Sequence, residues 1–421
     1  MVVSLLVSCC AYLPIRADDV VTVTIENQNK RGDTSNRMPV FIGILNSNAT
    51  DVVFLASELK KCLEISKQFD VTIEHMSSPK TKQAITALSE RGFVLAFFVN
   101  ASLDNTYLEW RMYDTMAASM VKGKKIVKND ATLTDCSYII ANDMWQELLG
   151  QSGPFLAKLA YIKKVPNKKN RFRCQLCMCD YNGEHERTVL DSSHIIVAPA
   201  WGPVSTNPYL VYSEFTRSNV RLMSIDLHHK RKVVVDFDGT IAGVSFTQTG
   251  KEIVYGRSGG LWKYYYDEAT KRGYHELLVK EIDVCASPIL LTNGDVIYCS
   301  QGMIKRYIDK THERQPLIKD GYNVGPTFHE KSGVLVFSRR YKGCMQLFSY
   351  TLATKKTEQL TFDAGDKTDP SMSPCGSWVA YCLEKRGKSQ IVVMNIKTGH
   401  SYTVTPETSI CRYPCWSPFY R

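Results

Sequence analysis

The sequence has no run of about 18 consecutive apolar residues, the length a helix needs to cross a bilayer. It has no charge excess large enough to dictate a partner. Its 52 basic and 42 acidic residues leave a formal +10 over 421 residues. That permits an acidic partner without requiring one. It lacks the Gly-x-Ser-x-Gly turn that holds a hydrolase nucleophile. The nearest strings, Gly150-Gln151-Ser152-Gly153 and Gly256-Arg257-Ser258-Gly259, have the wrong spacing. A phosphate-binding loop, a His-Glu-x-x-His zinc motif and a dinucleotide glycine motif are also missing. These absences argue against an enzyme, and no cofactor is expected.

Cysteine, in contrast, is plentiful, at 14 residues. Cys174, Cys177 and Cys179 have the look of a metal cluster. However, Arg173–Asp180 reads as a strand, where successive side chains alternate faces. Cys177 and Cys179 then share one face and Cys174 takes the other, and no second Cys/His pair sits at zinc-finger spacing. The basic cluster Lys163, Lys164, Lys168, Lys169, Arg171 and Arg173 lies in a stretch with Pro and Asn. It reads as a solvated loop rather than a nucleic-acid patch.

The first 17 residues read as a secretory signal. Val2–Tyr12 is apolar, Leu13-Pro14 breaks it, and Ala17 offers a small residue for cleavage before Asp18-Asp19. A basic n-region is missing. Leu6-Val7-Ser8-Cys9 also has lipobox spacing, so cleavage after Ala17 competes with lipidation at Cys9. Either route exports the chain and makes disulfides chemically accessible.

Residues 18–150 alternate strand and helix signals, as expected for an α/β domain. Val21, Val23 and Ile25 alternate with Thr22, Thr24 and Glu26, a period-2 strand pattern. Val40–Leu45 is a buried-strand candidate. Thr50 can cap a helix carrying Val52, Leu55, Ala56, Leu59, Cys62 and Leu63 on one face. Asp70–Glu74 is a short strand, Lys80–Glu90 a helix stopped at Gly92, and Phe93–Asn100 and Tyr107–Tyr113 are strands. Thr134 is the expected cap of a last helix, which ends at Gly150.

Beyond Gly150 the helical signal stops and a repeat begins. A small or polar residue, usually followed by Pro, leads after a spacer to a bulky residue, then a turn and a β-rich run. The leading residues are Ala198, Gly243, Ser287, Gly325, Asp369 and Tyr413. The bulky ones are Trp201, Phe246, Leu290, Phe328, Met372 and Trp416. A second alternating strand keeps phase with the first in six copies, from Gln175–Asp180 to Gln390–Asn395. A period of about 44 residues with four strands per unit is the signature of a β-propeller blade. The last copy has only an inner strand and the first blade lacks one, so the chain end can complete the first blade and close the ring. The expectation is a mainly β chain: a smaller α/β domain at 18–150 and a six-bladed propeller at 151–421. Inner strands line the channel, so the six leading residues should lie near the ring axis. A cation held at Asp369 is one chemistry such a position allows.

Several segments resemble the TolB family of periplasmic propeller proteins. They are Ala198-Pro199-Ala200-Trp201, the terminal Tyr413-Pro414-Cys415-Trp416-Ser417-Pro418, Gly153–Tyr161 entering the ring, and Asp180-Tyr181-Asn182-Gly183. The resemblance covers nearly the whole chain after the signal. Gly243–Thr247 and Ser287–Leu291 depart from it, lacking the usual Ser-Pro-Asp-Gly turn. The resemblance implies a non-catalytic, monomeric adaptor of the Tol-Pal envelope system in the periplasm, serving outer-membrane integrity and cell division. It implies two partners. A Pal-like peptidoglycan-associated lipoprotein would dock at the channel mouth, near Ala198, Gly243, Ser287, Gly325, Asp369 and Tyr413. A TolA-like inner-membrane protein would engage the first mature residues, Asp18, Asp19, Val20, Val21, Thr22, Val23, Thr24, Ile25 and Glu26. That segment suits either β-addition to a partner or an ordinary edge strand. The alternative reading is a propeller that binds an envelope small molecule or glycan in its channel.

Overall fold

The computed structural model describes residues 37–45, 50–76, 82–102, 106–128, 132–167, 171–203, 207–237, 241–247, 249–257, 259–267, 269–270 and 272–418. The proposed cleavage site at Ala17 and the segment Asp18–Glu26 lie outside them.

The N-terminal α/β region runs β1 (Met38–Leu45), α1 (Thr50–Glu64), β2 (Phe69–Met76), α2 (Lys82–Glu90), β3 (Leu95–Ala101), β4 (Tyr107–Asp114), β5 (Ser119–Val127) and α3 (Leu133–Leu149). The strands form one sheet in the order β2-β1-β3-β4-β5. The first three are mutually parallel, β4 pairs antiparallel with β3, and β5 pairs antiparallel with β4. The apolar stripe of α1 is buried in full: Val52, Leu55, Ala56, Leu59, Cys62 and Leu63. Two features differ from the sequence reading. The cap of α3 is Thr132, not Thr134. The Thr132 hydroxyl accepts from the Asp135 N–H at 3.1 Å, and the Asp135 carboxylate accepts from the Thr132 N–H at 3.1 Å. Thr134 has Ser137 three residues on and cannot close such a box. The second difference is β5. It carries no buried alternation, because nearly all of it is exposed, so periodicity could not reveal it. α3 ends at Gly150, whose φ of 68° lets its N–H reach the Gln146 carbonyl at 2.8 Å.

The rest forms a six-bladed β-propeller of four-stranded antiparallel sheets. The inner strands are Ile195–Trp201 (blade 2), Ile241–Phe246 (blade 3), Ala286–Leu290 (blade 4), Asn323–His329 (blade 5), Asp366–Met372 (blade 6) and Cys411–Trp416 (blade 1). Blade 1 is composite. Its inner strand comes from the chain end and pairs with Lys158–Asn167, with Trp416 opposite Leu159 and Arg412 opposite Ile162. Ser417 latches this closure: its N–H donates to the Lys158 carbonyl and its hydroxyl accepts from the Lys158 N–H, both at 2.8 Å. The closed ring leaves no blade without an inner strand.

The α/β region and the ring share one apolar core. Cys62, Cys136, Tyr138, Ile140 and Trp145 join Phe155, Tyr181, Trp378 and Trp416 in a single buried cluster. Trp145 of α3 lies 5.4 Å from Phe155 and 6.4 Å from Trp378, ring centre to ring centre. A polar centre sits beside this seam. The Asp180 carboxylate accepts from the Tyr138 hydroxyl at 3.1 Å and from Lys158 Nζ at 2.5 Å, and His185 Nδ1 is 2.8 Å away.

Candidate functional site

Every inner strand carries the same kink. Ala198, Ser287, Asp369 and Tyr413 have φ of 50°, 48°, 52° and 56°, and Gly243 and Gly325 have 99° and 58°. These are the six leading residues of the sequence repeat. All six lie inside inner strands, and all are partly exposed. At each, two inner-strand residues oppose one on the second strand, which is a β-bulge.

The sequence explains the bulge. In five blades the next residue is Pro: Pro199, Pro288, Pro326, Pro370 and Pro414. Proline has no N–H to give the ladder, so pairing must break there. Blade 3 has Val244 instead. Its ladder runs one residue further, pairing Val244 with Tyr255, and the unmatched position shifts to Gly256. Elsewhere the single opposing residue is a buried aromatic: Tyr161, Tyr212, Tyr298, Phe337 or Tyr381. A Cβ on Gly256 would stand 1.7 Å from the Cys285 carbonyl oxygen, so no aromatic fits there. Each of these aromatics sits in a short apolar run such as Leu210-Val211-Tyr212 or Leu335-Val336-Phe337, so the strand that carries it is legible in the sequence.

The kinked residues form a belt. A Cβ built on Gly243 would lie 3.3 Å from the Ser287 Cα, and one on Gly325 4.0 Å from the Asp369 Cα, so neighbours around the ring nearly touch. Hydroxyls two residues further on tie blade to blade. Ser245 accepts from the Leu290 N–H at 3.0 Å, Thr327 from the Met372 N–H at 3.0 Å, and Ser371 from the Trp416 N–H at 3.1 Å. Between blades 1 and 2 the Trp201 indole N–H donates to the Cys415 carbonyl at 3.2 Å instead. Beyond the belt, a cavity of about 720 Å³ is lined by Trp201, Phe246, Trp416 and three prolines, with no charged residue among its walls.

Asp369 is the one carboxylate in the belt. Burial pushes it up to about 6, against the opposing pull of Arg412. Arg412 in turn pairs with Glu384 at 2.5 Å. No group of three or more His, Cys, Asp or Glu side chains placed to hold a metal occurs among the described residues. The cation reading of Asp369 therefore gains no further ligands.

The three clustered cysteines divide as the strand pattern requires. Cys177 and Cys179 enter the core shared with the α/β region, and Cys174 enters the core between blades 1 and 2. All 12 described cysteines are free thiols. Burial pushes Cys62, Cys177, Cys285 and Cys382 up to about 12. These thiols are apolar filling rather than nucleophiles.

No protein-family model matches the chain. The Tol-Pal system protein TolB of Francisella tularensis subsp. tularensis is 23% identical over 378 residues, covering 83% of this chain and 84% of the relative. The crystal structure of TolB from Acinetobacter baumannii superposes with a TM-score of 0.76 at 20% identity, over 92% of this chain and 98% of that one. The chain is TolB-like. A chain of a nidogen/laminin complex matches with a TM-score of 0.50 at 13% identity, over 63% of this chain. The wider coverage of the TolB structure takes in the α/β region as well, since the ring sheets begin only at residue 158. Within this ring, blade 3 is the one whose bulge moves, because Val244 stands where the other five blades have Pro.

Proposed function

We propose that this chain is the TolB-type component of a Tol-Pal envelope system. It acts without catalysis, in the periplasm, as an adaptor between two partners. The ring, at the end of the channel bordered by the belt of Ala198, Gly243, Ser287, Gly325, Asp369 and Tyr413, takes a Pal-like peptidoglycan-associated lipoprotein. The segment Asp18–Glu26 takes a TolA-like inner-membrane protein. The observation that carries the reading is the joint one: similarity to TolB runs through both the α/β region and the ring, in sequence and in fold. A propeller alone would not carry it, since folds of this type host unrelated functions. The belt supports the ring's part physically. It sets partly exposed, left-handed backbone on all six inner strands, with one carboxylate at Asp369 and one phenol at Tyr413.

Pull-down from envelope extracts tests the reading. The whole chain should recover a Pal-like lipoprotein. Deletion of residues 18–33 should abolish recovery of the inner-membrane partner and spare the lipoprotein. Failure to recover any Pal-like lipoprotein, or survival of both interactions after the deletion, counts against it. A second reading, a neutral ligand or glycan in the channel, is favoured only by the uncharged aromatic cavity beyond the belt. A glycan array with the purified chain would show binding if it holds.

A further inference from the structure

The sheet of the α/β region has an open edge with an uncommon composition. β5 pairs with β4 on one side and, among the described residues, with nothing on the other. It is nine residues long, and every residue except Ile126 is exposed. Met120, Val121 and Val127 are 57%, 52% and 62% exposed, and Met116 in the preceding turn 69%. Ser119–Lys128 carries four lysines, Lys122, Lys124, Lys125 and Lys128, and no acid.

The two faces of this edge differ. Lys122, Lys124 and Ile126 stand opposite Met112, Trp110 and Leu108, on the face packed under α1 and α3. Lys122 and Lys124 bridge to Glu147 and Asp143 of α3 while staying about half exposed. Exposed pairs of this kind contribute about 0–1 kcal/mol, so either lysine can take a new carboxylate at small cost. Gly123, Lys125 and Val127 stand opposite Arg111, Glu109 and Tyr107 on the other face, where Lys125 lies 4.6 Å from the Tyr107 ring centre.

We infer that the outer edge of β5 is a strand-addition site for an extended segment of a partner protein, with acidic residues on its α3-side face and apolar residues on the other. Added strands gain main-chain hydrogen bonds from such an edge and specificity from alternate side chains. A second copy of this chain is a poor occupant. Antiparallel self-pairing about Gly123 would set Lys122 of one copy opposite Lys124 of the other, twice, and like charges directly opposite are destabilising. Lysines on an edge also deter edge-to-edge aggregation. A purely protective edge, however, has no use for exposed Met120, Val121 and Val127. The site shares no residue with the channel belt or with residues 18–26, so it stands or falls independently of the adaptor reading.

The test uses the full chain and a fluorescent ten-residue peptide alternating Glu and Val, with a Lys/Val peptide as its counterpart. The Glu/Val peptide should bind by anisotropy and slow hydrogen exchange within 119–127. Raising salt to about 0.5 M should weaken it about tenfold. Lys124→Glu should weaken it about fivefold, while Lys164→Glu, the same charge change on the ring, leaves it within about twofold. Equal binding of both peptides, equal effects of the two variants, or protection outside β5 would overturn the proposal. Self-association with β5 protected in the absence of peptide would assign the edge to a second copy instead.

Discussion

Removing the Asp180 carboxylate should uncouple the α/β region from the ring, and the cost can be worked from the contacts. Asp180 is 3% exposed and holds Tyr138 of α3, Lys158 of blade 1 and His185 together. Breaking a buried ion pair costs about 3–5 kcal/mol. Lys158 keeps 35% of its side chain exposed, so water recovers part of the loss. The expected cost of Asp180→Ala is therefore the lower end, about 3 kcal/mol. Tyr138→Phe removes one hydrogen bond to a charged group, about 1.5 kcal/mol. In the double variant the Tyr138 hydroxyl no longer sits buried without its acceptor. Its cost should then match Asp180→Ala alone, a coupling of about 1.5 kcal/mol. Urea unfolding followed by tryptophan fluorescence is the assay, because Trp145 and Trp378 report from either side of the seam. Additivity within about 0.5 kcal/mol would refute the claim that this contact joins the two parts.

Other consequences follow from the same contacts. Ala198→Gly should stabilise the chain by about 1 kcal/mol in thermal unfolding, because φ of 50° strains any Cβ, and Ala198→Val should destabilise it by more. Trp416→Ala should cost about 3–5 kcal/mol through lost core packing at the ring closure, and Ser417→Ala about 1 kcal/mol, both read by urea midpoint. Thiol titration at pH 8 should find the nine buried cysteines unreactive until denaturant is added, with the partly exposed Cys344 the candidate for earlier reaction among the described cysteines. Asp369 binds its proton more tightly folded than unfolded. Its contribution to stability is therefore full below about 4 and lost as pH rises through about 6. Measured against Asp369→Asn, which stays neutral throughout, wild type should lose stability across that window, and a flat difference would contradict the burial argument.

Much of the ring was legible because its constraint repeats. A left-handed residue recurs in every inner strand and is followed by Pro in five of the six, so composition and geometry share one period. The closing strand was legible for the complementary reason: Tyr413–Trp416 is an inner strand without a blade, and Lys158–Asn167 begins a blade without an inner strand. β5 was not legible, since exposure on both faces erases the alternation that marks a strand. The α3 cap was misplaced by two residues because two threonines compete locally, and only Thr132 has a carboxylate three residues on. The seam around Asp180 was invisible for a deeper reason. Tyr138 and Asp180 are 42 residues apart, and nothing in either local pattern records that they meet.

The central claim is that the ring of this TolB-like chain receives a Pal-like lipoprotein at its channel. The most direct measurement is calorimetric titration of the purified chain with the soluble domain of the Pal-like lipoprotein from the same cells, repeated with Gly325→Val and Asp369→Lys. The account predicts a saturable one-to-one complex that both variants weaken while the ring stays folded by circular dichroism. No detectable complex, or binding that ignores both substitutions in folded protein, would contradict it.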